Sequence, residues 1–420
     1  MYMTYFTKKI LLATASTSLM ISSSATATAQ TIPDDVRKMH EEILTLDSHI
    51  DLAKGYASEW VNPGKRQNFQ VDLVKMQEGG LDVGIFIVFV PQTHRNDWEF
   101  ENVKKEALKL FASIHRMVEN NPDKIELALT VEDIRRISNT GKKVALIGLE
   151  NGFAIGKDLL MIKKYYDLGA RYITLTHYGH NDIGDSSNPS DQLGDGPSEH
   201  GGLSDFGREV VKEMNRLGIM VDISHTAKST MMEALKLSKA PVIASHSGAM
   251  GANKHPRNLD DEQLRAIRDT GGVAQMVAVD EFVLNQPGDM WAQIAEIRAE
   301  TGLQGYEEIS FLPEELRKQY FERIEKEVRA KWPWVHVKDF VNHIDHAVGI
   351  AGIDHVGISS DFEGGGGIDG WDNAAETPNV TAELVRRGYG KEDIEKLWSG
   401  NILRVMADVE KVAQNLQENE

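Results

Sequence analysis

Residues 205–246 read DFGREVVKEMNRLGIMVDISHTAKSTMMEALKLSKAPVIASH. The stretch from Asp205 to Leu217 places apolar side chains at helical spacing. Gly218 follows directly, and glycine suits a helix end because it enters the left-handed region without a Cβ penalty. Met220–Ser224 (MVDIS) is then a short apolar run that stops at His225, and Val242–Ser245 (VIAS) is another that stops at His246. Such runs read as strands covered on both faces, the condition of a parallel sheet. Two strands of that kind, separated by a crossover-length segment, make one βαβ unit.

The same grammar extends outward in both directions. Ile43–Ile50, Val83–Val90, Val144–Leu149 and Tyr172–Thr176 precede the quoted stretch, and Val273–Val279 and Val356–Ser360 follow it. Helix-periodic segments lie between them, such as Glu99–Glu119, Lys157–Leu168 and Asp260–Thr270, with Gly169 and Gly271 after the last two. Eight strands alternating with helices predict a closed (β/α)8 barrel of the TIM type. The alternative is an open doubly wound sheet. No βα turn carries G-x-G-x-x-G, which counts against dinucleotide binding. Gln286–Lys338, with EELRKQYFERIEKEVRAKW inside it, is long, charged and helical. It is expected to be an insertion before the last strand of a single domain spanning residues 30–420. Gly364–Gly367 is expected to be a flexible loop on the active face.

At 41% hydrophobic and 26% charged residues, the chain has enough apolar side chains for a large core, which excludes a disordered protein. A net charge of −18 argues against nucleic acid or an anionic membrane surface as partner. Cysteine is absent, so disulfides, thiol nucleophiles and thiolate metal sites are excluded. Any metal must be held by His and carboxylate. At the N-terminus, Lys8-Lys9, the apolar Ile10–Ile21 and Ala27-Thr28-Ala29 follow the order of a secretory signal peptide. Cleavage is expected after Ala29, placing the protein in the periplasm or outside the cell. No later run reaches the length of a membrane span, so no transmembrane anchor is expected.

Chemistry-bearing residues fall at strand ends. His49 and Asp51 end the first strand (LDSHIDL), Glu150 the third (ALIGLEN) and His177 the fourth (YITLTH). His225, His246 and Asp361 (GISSDF) end the fifth, sixth and eighth. In a barrel these ends converge on one face, where active sites form. His49 and Asp51, at i and i+2, point to the same side and can grip one ion. His225 and His246 can hold a second. Glu150 has two oxygens and can bridge. Imidazole with carboxylate suits Zn²⁺, with Mn²⁺ or Co²⁺ as substitutes. Two such ions share and acidify a water. Asp361 is left as a non-ligand carboxylate able to accept and return a proton.

These residues carry a resemblance. Leu46–Leu52, Ile147–Gly152 (IGLENG), Arg171–His177, Glu213–His225, Pro241–Ala249 (PVIASHSGA), Arg257-Asn258, His343–His346, Val356–Glu363 and Gly400–Val405 (GNILRV) resemble, in order, the membrane (renal) dipeptidases of zinc peptidase family M19. The likeness is to an exported bacterial member, and it runs through nearly the whole chain after the leader. It implies an amidohydrolase-type barrel with two Zn²⁺ bridged by Glu150 and a water or hydroxide. His49 and Asp51 would bind one zinc, and His225 and His246 the other. His177 would contact the substrate carbonyl, Arg257 would receive the free carboxylate, and Asp361 would be the acid/base. Taken alone, Arg257 reads as a surface residue before a helix. The implied activity is hydrolysis of dipeptides, L-Xaa-D-Xaa as well as L-Xaa-L-Xaa, by a metal-bridging hydroxide.

The resemblance departs at Asn151, where the family has glycine, and an altered pocket floor is expected there. His180 is expected to be a solvated loop residue, and His343, His346 and His355 to be packing or surface positions. Two alternatives stay open: another amidohydrolase-type hydrolase acting on a lactam or lactone, and a non-catalytic barrel that only binds. A homodimer is left open.

Overall fold

The computed structural model describes residues 32–419 except Lys54, Glu59, 304–311 and Pro333. The expected signal peptide lies outside the described residues. Among the described residues there are nine strands: β1 (Leu46–Ile50), β2 (Val83–Phe89), β3 (Ile125–Leu127), β4 (Lys143–Glu150), β5 (Ala170–Thr174), β6 (Met220–Asp222), β7 (Ile243–Ser247), β8 (Val273–Val277) and β9 (Val356–Ser359). All pair in parallel, in the order β1-β2-β4-β5-β6-β7-β8-β9, with β3 beside the start of β4. The seam between β1 and β9 closes just past the strand ends. There Asp51 N–H donates to Phe362 O at 2.9 Å and Asp361 N–H donates to His49 O at 3.1 Å. The eight expected strands form the (β/α)8 barrel. Only β3 escaped the sequence reading, because three residues are too few to show a period.

Alternation along the strands explains the interior. Val144, Leu146, Gly148 and Glu150 share one face of β4. Val144 and Leu146 join Leu46, Ile85, Tyr172 and Met220 in one buried cluster, and the helix Asn401–Gln417 adds Ile402 and Val405 to it. Burial of each such aliphatic side chain contributes roughly 1.5–3 kcal/mol. Gly148 is small for a reason: a Cβ there would meet the Tyr172 ring at 2.4 Å. Tyr172 thereby crosses the interior beneath the mouth, with Glu150 one step above it on the column.

The helices begin and end as their sequences direct. Asp205–Leu217 starts at Ser204, whose Oγ accepts from Gly207 N–H at 2.9 Å, and it stops at Gly218 with φ 84°. Within 286–338, the helices Gly288–Glu300 and Glu314–Arg323, the latter continuing as the wider turn Ile324–Arg329, bury Met290, Ile294, Ile297, Tyr320, Ile324 and Val328 in a small core of their own.

Candidate metal centre

The barrel brings the strand-end residues to one mouth. Asp51 lies one residue past β1, His177 and His225 three past β5 and β6, and Asp361 two past β9. His49, Glu150 and His246 lie within β1, β4 and β7. All but Asp51 and His177 are buried outright. Glu150 occupies the middle. Its Oε1 lies 3.0 Å from His225 Nε2 and 3.2 Å from His246 Nε2, and those two nitrogens are 2.9 Å apart. Its Oε2 lies 3.5 Å from His49 Nε2, which is 3.5 Å from Asp51 Oδ2 and 3.7 Å from Asp361 Oδ1. His177 Nε2 stands 3.9 Å from Oε1. Two donor sets thus share one carboxylate, each set compact enough to hold an ion.

Hydrogen bonds behind the imidazoles fix their tautomers. Tyr172 donates its hydroxyl to Ser48 O at 3.1 Å, so at 2.7 Å it accepts from His49 Nδ1–H. Ser245 donates to Asp222 Oδ2 at 2.6 Å, so at 2.8 Å it accepts from His246 Nδ1–H. Each bond leaves an Nε2 lone pair aimed into the site, the usual support for a metal-ligating histidine. His49 Nε2 is fully buried and has no hydrogen-bond partner among the described residues. A donor set of this kind, with an orphaned nitrogen at its centre, fits divalent cations.

Electrostatics agree. Burial opposes a charged His49, yet the Glu150 and Asp51 carboxylates outweigh it and raise its proton affinity well above the ordinary range. This side of the site therefore attracts positive charge. Burial lowers His225 and His246 well below the usual imidazole value, so both are neutral, as ligands must be. Burial opposes an ionised Glu150 too, but the surrounding histidines keep it ionised. His177 is lowered to about 4, chiefly by burial. Its ring lies 4.7 Å from that of Phe89 and 4.8 Å from that of Tyr178. Asp361 is raised well above the carboxylate range by burial, with Asp51 and Glu150 adding repulsion against the pull of His49. His225 and Asp361 both sit in the left-handed region, at φ 64° and 59°. Strain of this kind is commonly stored at functional positions.

Two expectations need correction. Arg257 is not a surface residue: it is 2% exposed. Its Nη2 donates to His246 O at 2.9 Å, its guanidinium lies 5.2 Å from the Phe282 ring, and its buried Nε has no partner among the described residues. His180 is not solvated. It is buried, with Nδ1 accepting from Ser186 N–H at 3.0 Å and Nε2–H donating to Gly196 O at 2.9 Å. Gly364–Gly367 is a loop that walls the active face, with Gly364 and Gly365 exposed, and Gln70 bonds at its base. Gln70 donates Nε2–H to Gly366 O and to Asp372 O at 2.9 Å each and accepts from Glu363 N–H at 2.7 Å.

Asn151 adopts φ 74°, which asparagine tolerates better than most residues. Its Oδ1 accepts from Phe153 N–H and Asn181 Nδ2–H, both at 3.1 Å, and its Nδ2 donates to Val90 O at 3.1 Å. It ties the end of β4 to the loop after His177. Asp222, Tyr172 and Ser245 were not singled out from the sequence. An acidic residue inside the apolar run MVDIS was the available signal for the first.

Residues 34–420 match the family described as membrane dipeptidase, peptidase family M19. The dipeptidase verJ of Clonostachys rogersoniana is 30% identical over 395 residues, covering 91% of this chain and 88% of the relative. The crystal structure of the probable dipeptidase PvdM from Pseudomonas aeruginosa superposes with a TM-score of 0.79 at 31% identity, covering 90% of this chain and 98% of that one. A metallo peptidase from Rhodobacter sphaeroides, solved with a phosphinate mimic of the dipeptide L-Ala-D-Ala, shares the fold at TM-score 0.67 and 22% identity, covering 87% and 99%. This chain belongs to the membrane dipeptidase family M19, and it is a metallo-dipeptidase.

Proposed function

We propose that this protein hydrolyses dipeptides bearing a free C-terminal carboxylate, with two zinc ions held between its donor sets. The carrying observation is Glu150, which turns one oxygen to His225 and His246 and the other to His49. His49 and Asp51 would hold one ion, His225 and His246 the other, with Glu150 shared. When bound, the ions would supply Lewis-acid charge and acidify a water.

The remaining residues do the rest. Arg257, buried with a free Nε, receives the substrate carboxylate in a charge-assisted pair. Because it cannot move far, the distance from carboxylate to scissile bond is set, which restricts length to two residues. His177 is neutral at physiological pH and donates Nε2–H to the scissile carbonyl oxygen as negative charge develops there. Asp361, which the charge of bound cations would return to its ionised form, takes the proton of the attacking water and returns it to the leaving amine. Both L-Xaa-L-Xaa and L-Xaa-D-Xaa dipeptides are within this reading. The ligand of the Rhodobacter sphaeroides enzyme supports including the second.

The test is zinc content together with hydrolysis of L-Ala-L-Ala, L-Ala-D-Ala and tri-L-alanine. About two equivalents of zinc are expected, as the ligand count implies, with dipeptides cleaved and the tripeptide spared. His225→Ala should lose about one equivalent and most turnover. Equal cleavage of the tripeptide, or a His225→Ala variant keeping full metal and rate, overturns the reading. Among the described residues no helix is long and apolar enough to cross a membrane. Export with cleavage after Ala29 belongs to the same proposal and is tested by N-terminal sequencing of the protein from periplasm and medium.

A further inference from the structure

Tyr178 stands at the mouth with no task assigned to it. It follows His177 directly, and its ring lies 4.8 Å from that of His177 and 5.3 Å, edge-on, from that of His225. These two contacts fix the ring over the imidazoles on the Oε1 side of Glu150. The residue is 39% exposed, an unusual position for a large aromatic side chain beside a buried charged site. Its hydroxyl has no hydrogen-bond partner among the described residues.

Arg257 reaches the neighbouring imidazole's backbone. One Nη is spent on His246 O and its Nε is free. His225, against which the Tyr178 ring stands, has its Nε2 2.9 Å from that of His246, the residue whose carbonyl Arg257 holds. An unspent hydroxyl donor and an unspent guanidinium donor therefore stand beside the two neighbouring imidazoles His225 and His246.

We propose that Tyr178 is a second substrate anchor, donating its hydroxyl to the C-terminal carboxylate that Arg257 receives. This rests on the reading of Arg257 given above. A carboxylate has two oxygens and several lone pairs, so guanidinium and phenol can bind it together. The phenol adds a direction the guanidinium lacks, because it is carried on the residue after His177. Carboxylate and scissile carbonyl are then held from one short segment, and the carboxylate is registered against the bond to be cleaved. The contact is present in ground state and transition state alike, so it acts on KM rather than kcat.

The test is Tyr178→Phe, which removes only the hydroxyl, assayed on L-Ala-L-Ala and on L-Ala-L-alaninamide, with zinc content measured in parallel. Loss of a hydrogen bond to a charged group is expected to raise KM for the dipeptide about tenfold or more. Zinc should be unchanged and kcat nearly so, and kcat/KM on the amide should change less than about twofold. An unchanged dipeptide KM overturns the proposal. So does an equal KM rise on both substrates, which would mean the hydroxyl only packs the mouth. A fall in kcat at constant KM overturns it too. Arg257→Met separates the two readings. If it raises the dipeptide KM while Tyr178→Phe does not, only the Tyr178 anchor fails. If it leaves that KM unchanged, the carboxylate site itself is wrong.

Discussion

A Cβ on Gly364 would stand 2.1 Å from Oδ2 of Asp51. The same atom would lie 2.8 Å from Oδ1 of Asp361. The glycine-rich wall is therefore built against the carboxylates of the centre, and its lack of side chains at 364 is a condition for Asp51 to face His49. Gly364→Ala is expected to displace Asp51 and to weaken metal binding on the His49 side by about 10–100-fold, the scale of a disturbed support around a ligand. Zinc titration with a chelator as competitor checks this. Unaltered affinity would show that the wall yields without moving Asp51.

Asp361→Asn separates a proton carrier from a ligand. The amide keeps the size of the carboxyl but accepts no proton. Both zinc ions should be retained, while kcat falls by about 10²–10⁴ and KM changes little. Zinc analysis and steady-state kinetics on one preparation decide it. Zinc lost together with activity would make Asp361 a ligand.

Gln70→Ala tests the support of the same wall from a distant loop. Besides its three side-chain bonds, the backbone N–H of Gln70 donates to Glu363 Oε1, and its carbonyl accepts from Ala374 N–H at 3.0 Å. The substitution removes only the side-chain bonds, each with a net contribution of about 0.5–1.5 kcal/mol. Stability should fall by about 2–4 kcal/mol in urea melts. Freed from Gln70, the segment carrying Asp361 should shift, lowering kcat by roughly tenfold to a hundredfold with zinc retained. A variant that is less stable but equally fast would confine Gln70 to folding.

Asp280, just past β8, is buried, and its Oδ1 has no partner among the described residues. Burial raises its carboxyl from 3.8 to about 7; Asp372 and Glu281 add to this and Arg329 opposes it. The folded value lies above the unfolded one, so between about pH 4 and pH 7 the native state holds the extra proton. Stability from this group is then lost as pH rises through that window. A rise of that size is worth at most about 4 kcal/mol. Asp280→Asn should therefore gain about 1–3 kcal/mol at pH 8 and little at pH 4, measured as the pH dependence of urea unfolding. Parallel stability curves for the two proteins would contradict the assignment.

The eight strands were legible because short, solidly apolar runs rich in β-branched and aromatic residues, such as GIFIVFV, suit strands covered on both faces. Their order could be read because alternation with helices leaves a parallel barrel as the economical closure. The ligand candidates were legible for the same reason: His49, Glu150 and His246 end apolar runs, and a barrel sends all such ends to one mouth. Local pattern carries this information, since it depends on period and position along one segment.

Contacts between distant segments carry the rest, and no local period records them. Tyr172 reads as one more apolar strand residue until Gly148, on the neighbouring strand, makes room for it to reach His49. Ser245 orients His246 only because Asp222 of β6 lies alongside. Arg257 reads as a surface cation, yet packing around His246 and Phe282 buries it. Gly364–Gly367 reads as a loop on its own, yet Gln70, almost three hundred positions earlier in the chain, bonds at its base. Period and residue type dictated which side chains reach the mouth. The packing of segments far apart in sequence settled which way each one faces, because an imidazole's tautomer or a guanidinium's burial is a property of its neighbours.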